Sequence, residues 1–183
     1  HIFSAWQKGD TPYADACKQL DLLFEQTQGN LVHQGRIKSL YGIMQGYRGE
    51  LVQSLAHLEE SRKLYEEVGA LADLMTVNIN IGETYRQMGN PVRARAHFHR
   101  AAQNANKVGR RDIEATALSN EGQMWLSLEG YSKAQMVLSE AQKLCEKPWR
   151  ADEDLSIRRN RMDTLCEVCQ VLVTLKLHQK QYE

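Results

Sequence analysis

Glycines recur every 40 residues along this 183-residue chain. Eight of its twelve glycines fall into three series, Gly29/Gly69/Gly109, Gly42/Gly82/Gly122 and Gly49/Gly89. A fixed period of roughly 20 to 50 residues is typical of stacked supersecondary units, each too small to bury its own apolar face. We therefore predict an array of similar units rather than a single irregular core.

The residues between the glycines predict that each unit is an antiparallel helical hairpin. Small and large apolar residues alternate three and four positions apart, which places them along one stripe of a helix. Gly89 is suited to end one helix, and Asn90 and Pro91 are suited to cap and begin the next. The repeated positions of the second helix are Ser54/Ala94/Ala134, Leu58/Phe98/Leu138 and Ser61/Ala101/Ala141.

The middle unit resembles a tetratricopeptide (TPR) repeat. Asn80-Ile81-Gly82, Tyr85, Gly89-Asn90, Ala94, Phe98 and Ala101 follow the order of the TPR pattern, and a second match runs from Asn120 to Ala141. The resemblance implies an all-α fold, a right-handed α-α superhelix (solenoid) of antiparallel helical hairpins. The usual TPR period is about 34 residues, so both helices here are longer by most of a turn. Such long-helix arrays resemble those of bacterial regulators and adaptor scaffolds.

The period divides the chain, as one array, into consecutive units. They are a partial repeat at 1–29, repeats at 30–69, 70–109 and 110–149, and a partial repeat at 150–183 with an insertion near Pro148. We expect the last helix to run from about Asp154 to Leu177, with Val173 as the counterpart of Gly122. Residues 179–183 resemble the turn before a further helix, so we expect a fragment of a longer array.

Charge and composition limit the classes of function that we expect for this chain. The 23 basic and 23 acidic residues balance, which gives no bulk attraction to nucleic acid or to an anionic membrane. No apolar run approaches the roughly 20 residues of a membrane span, and we expect a cytoplasmic protein. The four cysteines are best explained as reduced thiols in helices.

No residue pattern predicts catalysis, a metal or a cofactor. Cys166 and Cys169 have the spacing of a redox or zinc motif, but no second pair completes a zinc site, so buried helical cysteines are the favoured interpretation. His97 and His99 lie two apart and point in different directions on a helix. We expect no enzyme activity.

Two groups of basic residues allow two interpretations. A solvated outer face is favoured, and a nucleic-acid contact that weakens steeply with salt is the alternative. The groups are Arg93, Arg95, His97, His99, Arg100, Arg110 and Arg111, and then Arg158, Arg159 and Arg161.

The TPR resemblance implies that a concave groove is lined by the first helix of each hairpin. Its positions vary between repeats while the packing positions are kept, as a binding surface allows, although a solvated face also varies. Ser39 and Ile43 replace the Lys and Asn with which chaperone-binding TPR domains hold a peptide carboxylate, so that activity is not expected. The predicted partner-binding residues are Arg36, Ser39, Ile43, Tyr47, Ile79, Glu83, Arg86, Gln87, Ser119 and Gln123.

The sequence thus predicts a non-catalytic scaffold module that binds a protein or peptide. One alternative is an effector-sensing arm of a signal-transducing ATPase or transcription regulator, with a closed pocket near Tyr47, Arg86 and Gln123. Another is a purely architectural array. The apolar last helix is either covered by a further helix or forms a dimer contact that buries Leu172 and Leu175.

Overall fold

The computed structural model describes residues 2–148 and 154–180, with side chains described up to residue 176. These residues form nine α-helices that pack in chain order, without a strand among them, so the predicted all-α solenoid is confirmed. The helices are α1 (Ile2–Gln7), α2 (Tyr13–Gln26), α3 (Leu31–Tyr47), α4 (Leu51–Val68), α5 (Leu71–Gln87), α6 (Pro91–Lys107), α7 (Arg111–Ser127), α8 (Tyr131–Glu146) and α9 (Leu155–Lys180).

The predicted capping residues begin and end the helices. The Asn90 side chain accepts a hydrogen bond from the Arg93 backbone N–H at 3.1 Å, and Pro91 occupies the first turn of α6. Gly69 ends α4 in the left-handed conformation, with φ of 68°. Short turns of this kind force each helix to fold back against the one before it.

One turn departs from the glycine series. Glu129 stands where the two preceding hairpins have Gly49 and Gly89, and it adopts a left-handed φ of 57°. The sequence placed this turn at Gly130, whose φ is −82°. Because a Cβ crowds the following carbonyl in the left-handed region, Glu129 is a strained position.

Replacing Glu129 with glycine is therefore expected to stabilise the array by about 1 kcal/mol, because it removes that crowding. Urea unfolding followed by circular dichroism measures the gain. Glu129→Ala keeps the Cβ and is the matched control, for which we expect no gain. A Glu129→Gly variant no more stable than the unsubstituted protein would contradict this account.

Glycines bring the two helices of each hairpin into close contact. A Cβ on Gly82 would lie 2.7 Å from the Phe98 ring, and one on Gly122 would lie 2.6 Å from Leu138. The Gly42 position meets the side chain of Leu58 in the same way, at 2.5 Å. Each large side chain of the second helix thus fills a notch that the glycine leaves in the first.

The last helix follows a different register from the one predicted. Arg36 donates to Asp73 at 3.2 Å, and Asn160 makes the equivalent contact with Thr116 at 3.5 Å. Arg36 on α3 and Thr116 on α7 lie two 40-residue periods apart. Their partners, Asp73 on α5 and Asn160 on α9, lie 87 residues apart, which is one period of 40 plus 47 residues. The interval from α7 to α9 is therefore 47 residues rather than 40. Cys169, rather than Val173, is therefore the counterpart of Gly122. Residues 179 and 180 still belong to α9 rather than to a turn, and 181–183 lie outside the described residues.

Three residues predicted at the surface lie in the interior. Arg161 is 1% exposed and donates to the carbonyls of Leu144, Cys145 and Lys147 at the end of α8. Leu175 is 2% exposed within the monomer, so it is not available for the dimer contact. His97 is also buried, and its surroundings explain why it does not belong to a solvated face.

His97 connects two neighbouring hairpin helices. Its Nδ1 lies 3.0 Å from the side-chain oxygen of Asn78, and its ring stacks on Tyr85 with centroids 5.6 Å apart. Burial lowers the pKa of His97 to about 4, because the charged imidazolium loses hydration there. This side chain is a neutral packing residue between α5 and α6.

Candidate functional site

The first helices of successive hairpins form one face of the array, which we call the first-helix face (α3, α5, α7 and α9). Helix α3 lies beside α5, and α7 lies beside α9. The second helices pack behind them through the glycine contacts. Side chains that point away from those contacts are presented on this face.

The α3–α5 cleft is the first concavity on this face, with a volume of about 370 Å³. It brings together four of the predicted binding residues, Ile43, Tyr47, Glu83 and Gln87. Ser54 and Leu58 of α4 contribute to its floor. The cleft is lined by Gly42, Ile43, Gly46, Tyr47, Ser54, Leu58, Asn80, Glu83, Thr84 and Gln87.

Asn80 is a cleft residue that the sequence analysis missed. It was assigned to the TPR pattern, yet it lines the α3–α5 cleft, and its side-chain nitrogen is buried without a hydrogen-bond partner among the described residues. A buried amide N–H group without a hydrogen-bond partner raises the free energy of the folded protein. The Asn80 amide can therefore still donate a hydrogen bond to a ligand. The sequence could have identified Asn80 by its spacing, since it lies three residues before Glu83 on the same helical stripe.

Ion pairs neutralise the predicted charges around this cleft. Arg86 donates through Nε to Glu83 Oε2 at 2.9 Å and makes a second contact through Nη2 to Oε1. The hydrogen bond to Glu83 raises the pKa of Arg86. Arg36 is paired with Asp73 at 3.2 Å. The α3–α5 cleft therefore offers amides and apolar surface rather than net charge.

Aromatic rings surround the end of the face nearest α1. Tyr47 is 67% exposed, and its ring centroid lies 6.0 Å from that of Phe3 and 6.1 Å from that of Trp6. Trp6 also meets Tyr13 edge-on at 6.2 Å. Phe3 and Trp6 were not predicted here, although they stand one period before Ile43 and Gly46.

The α7–α9 cleft repeats the first cleft at the other end of the face. It has a volume of about 440 Å³. Its α7 residues lie 80 positions after their counterparts on α3, and its α9 residues lie 87 positions after theirs on α5. The lining residues Gln123, Leu126, Glu167, Gln170, Val171 and Thr174 correspond to Ile43, Gly46, Asn80, Glu83, Thr84 and Gln87.

The remaining predicted residues divide between the surface and the interior. Arg36 and Arg86 are exposed, Ser39 is half-buried, and Ile79 is half-buried against the apolar core. Ser119 is fully buried, at 0% exposure, so it does not face a partner. Its short side chain allows close packing, which the predicted groove position did not take into account.

The effector-pocket arrangement predicted as an alternative is not formed by these residues. Gln123 lines the α7–α9 cleft, whereas Tyr47 lines the α3–α5 cleft. Among residues 2–148 and 154–176, no group of three or more His, Cys, Asp or Glu is arranged to hold a metal ion. Within the described part of the chain, the helices are too short or too polar to cross a membrane.

The basic group on α6 is partly neutralised by acidic residues. Glu121 is 3% exposed and lies 3.0 Å from His99 Nδ1 and 3.7 Å from an Arg95 nitrogen. Arg95 also stacks on Trp125, with its guanidinium carbon 4.4 Å from the ring centroid. These contacts connect α6 to α7 and leave less free positive charge for a nucleic-acid phosphate.

Comparison with known proteins agrees with the fold and the repeat. Residues 73–147 match the tetratricopeptide repeat family. This segment is a set of tetratricopeptide repeats. The matched segment runs from α5 to the end of α8 and includes the α5 residues Asn80, Glu83 and Gln87 of the first cleft and the α7 residues Gln123 and Leu126 of the second.

A solved structure is similar over most of the chain. The crystal structure of BtubC (BKLC) from P. vanneervenii is 14% identical, with a TM-score of 0.72 over 97% of this chain and 76% of that one. At this identity the likeness establishes the solenoid fold alone. A search of curated proteins finds no significant match.

Proposed function

We propose that the chain is a non-catalytic binding module that holds a protein or peptide segment on its first-helix face, as part of a larger scaffold or regulator. The observation that carries the proposal is the recurrence of one cleft at two places on that face. Packing accounts for Gly42, Ser54 and Leu58 in the first cleft, but Ile43, Tyr47, Glu83 and Gln87 line the same cleft and are not fully buried. A partner with two side chains to place would use both clefts.

An extended segment fits this arrangement better than a small effector. Adjacent packed helices lie about 8–10 Å apart. The α7–α9 cleft is two helix spacings along the first-helix face from the α3–α5 cleft, so the two clefts are separated by about 20 Å. A small molecule occupies one such cleft, whereas an extended chain reaches both. The amides of Asn80, Gln87, Gln123 and Gln170 are suited to hydrogen bonds with a peptide backbone.

The proposal is tested by selecting peptides and then altering the α3–α5 cleft. Random peptides of about twelve residues, long enough to span both clefts, are displayed and enriched on the immobilised protein. We expect enriched peptides to bind the variant Tyr47→Ala/Gln87→Ala at least about tenfold more weakly, because large aromatic contacts dominate many interfaces. Fluorescence anisotropy of labelled peptides measures the affinities.

Val52→Ala is the matched control. Val52 is 70% exposed at the start of α4 and does not line either cleft, so its replacement should leave affinity unchanged. Failure to enrich any peptide, or equal binding by the double variant and the unsubstituted protein, would refute a peptide site in this cleft.

A further inference from the structure

The two equivalent clefts differ in charge. Glu167 stands at the position that the preceding first helices fill with Asn80 and Asn120. Asp163 stands where they have Thr76 and Thr116. The last unit therefore places two carboxylates at positions that are uncharged in the two units before it.

These carboxylates have no ion-pair partner among the described residues. Neither Asp163 nor Glu167 has a Lys, Arg or His nitrogen within 4.0 Å there, and both side chains are exposed. In the α3–α5 cleft, by contrast, Arg86 neutralises Glu83. The nearest basic residue on α9 is Arg161, two residues before Asp163, but it is buried and donates to carbonyls at the end of α8. The nearest exposed basic positions are Arg159, four residues before Asp163, and Lys176, nine after Glu167.

The rest of the α7–α9 cleft is suited to a long cationic side chain. Leu126 and Val171 provide apolar walls, against which the methylene groups of Lys or Arg pack well. Gln123 and Gln170 carry amide oxygens that accept hydrogen bonds from an ammonium or guanidinium group. Glu167 supplies the opposite charge.

We propose that the α7–α9 cleft binds a Lys or Arg side chain of an extended peptide whose apolar side chain occupies the α3–α5 cleft. This inference rests on the proposed function and specifies its ligand. An extended chain rises about 3.3 Å per residue, so the separation of about 20 Å corresponds to about six residues between the two anchors. The aromatic end at Phe3, Trp6 and Tyr47 favours the apolar anchor there.

Sequencing of the enriched peptides tests the inference. On the unsubstituted protein, Lys or Arg should be enriched about six residues from a large apolar residue. The tightest peptide is then compared with its Lys→Glu form by anisotropy, and we expect a preference of about tenfold for Lys. On Glu167→Lys the preference should reverse, because the charge in the cleft has changed sign.

Glu25→Lys is the matched control. It makes the same charge change at an exposed position on α2, so the preference for Lys should persist. Enriched peptides without a basic position, or a preference unchanged by Glu167→Lys, would overturn the assigned charge. Peptide binding that still depended on Tyr47 and Gln87 would then leave the proposed function standing. If no peptide is enriched at all, both proposals fail.

Discussion

Replacing Phe98 with alanine is expected to cost about 3–5 kcal/mol of unfolding free energy, among the largest effects of any single change in the array. The side chain is completely buried, and its ring fills the notch that Gly82 leaves in α5. Truncation removes the ring from the contact between α5 and α6 and leaves a cavity. Because glycine carries no side chain that could move into the space left by the ring, we expect the cavity to persist and the cost to fall in the upper part of the usual range.

Chemical unfolding measures this loss, and Val92→Ala is the matched control. Val92 lies on the same helix but is 56% exposed, so its truncation should cost less than about 0.5 kcal/mol. Similar midpoints for the two variants would show that the notch does not hold the hairpin together.

Replacing Arg161 with methionine is expected to destabilise the contact between α8 and α9 by about 3 kcal/mol. Methionine keeps the apolar stem, but it leaves the carbonyls of Leu144, Cys145 and Lys147 without their guanidinium donor. The effect is local, since stability in a repeat protein is close to a sum over neighbouring units. Helix α9 should therefore open before the rest of the array.

Amide hydrogen exchange resolved along the chain measures this opening. We expect faster exchange throughout α9 and at the end of α8 in Arg161→Met, with α5 and α6 unchanged. Arg159→Met is the control, because Arg159 is exposed on the same helix. Uniform destabilisation of all helices, or no change in α9, would contradict the capping role.

The hairpins were predictable because their determinants are local. Gly82, Asn90 and Phe98 act on residues a few positions away or on the partner helix, and a 40-residue period repeats their effects. The same period correctly grouped Ile43, Tyr47, Glu83 and Gln87, because helical spacing fixes which side of α3 and α5 they occupy. These four residues line one cleft.

The errors arose where one unit departs from the pattern. Cys169 takes the place of the glycine that would have marked the register of α9, so the sequence placed that helix four residues out of step and missed Glu167 and Gln170. Arg161 was assigned to a charged surface because its carbonyl partners on α8 are brought near only by the tertiary fold. Ser119 was misassigned because polarity alone does not distinguish a groove position from a close-packed one.

The glycine notches also determine where the array can bend. In the α3–α4 hairpin the two backbones approach closely, since a Cβ on Gly42 would lie 2.9 Å from the Ser54 carbonyl oxygen. Between hairpins the helices meet through side chains, such as Ser54 with Thr84 at 3.4 Å and Thr116 with Thr164 at 3.0 Å. Side-chain contacts adjust more readily than closely approaching backbones, so we expect the array to bend between hairpins, as at α4 and α5, rather than within them. Both clefts lie between the first helices of successive hairpins, so a change in the angle between neighbouring hairpins would change the width of the cleft between them.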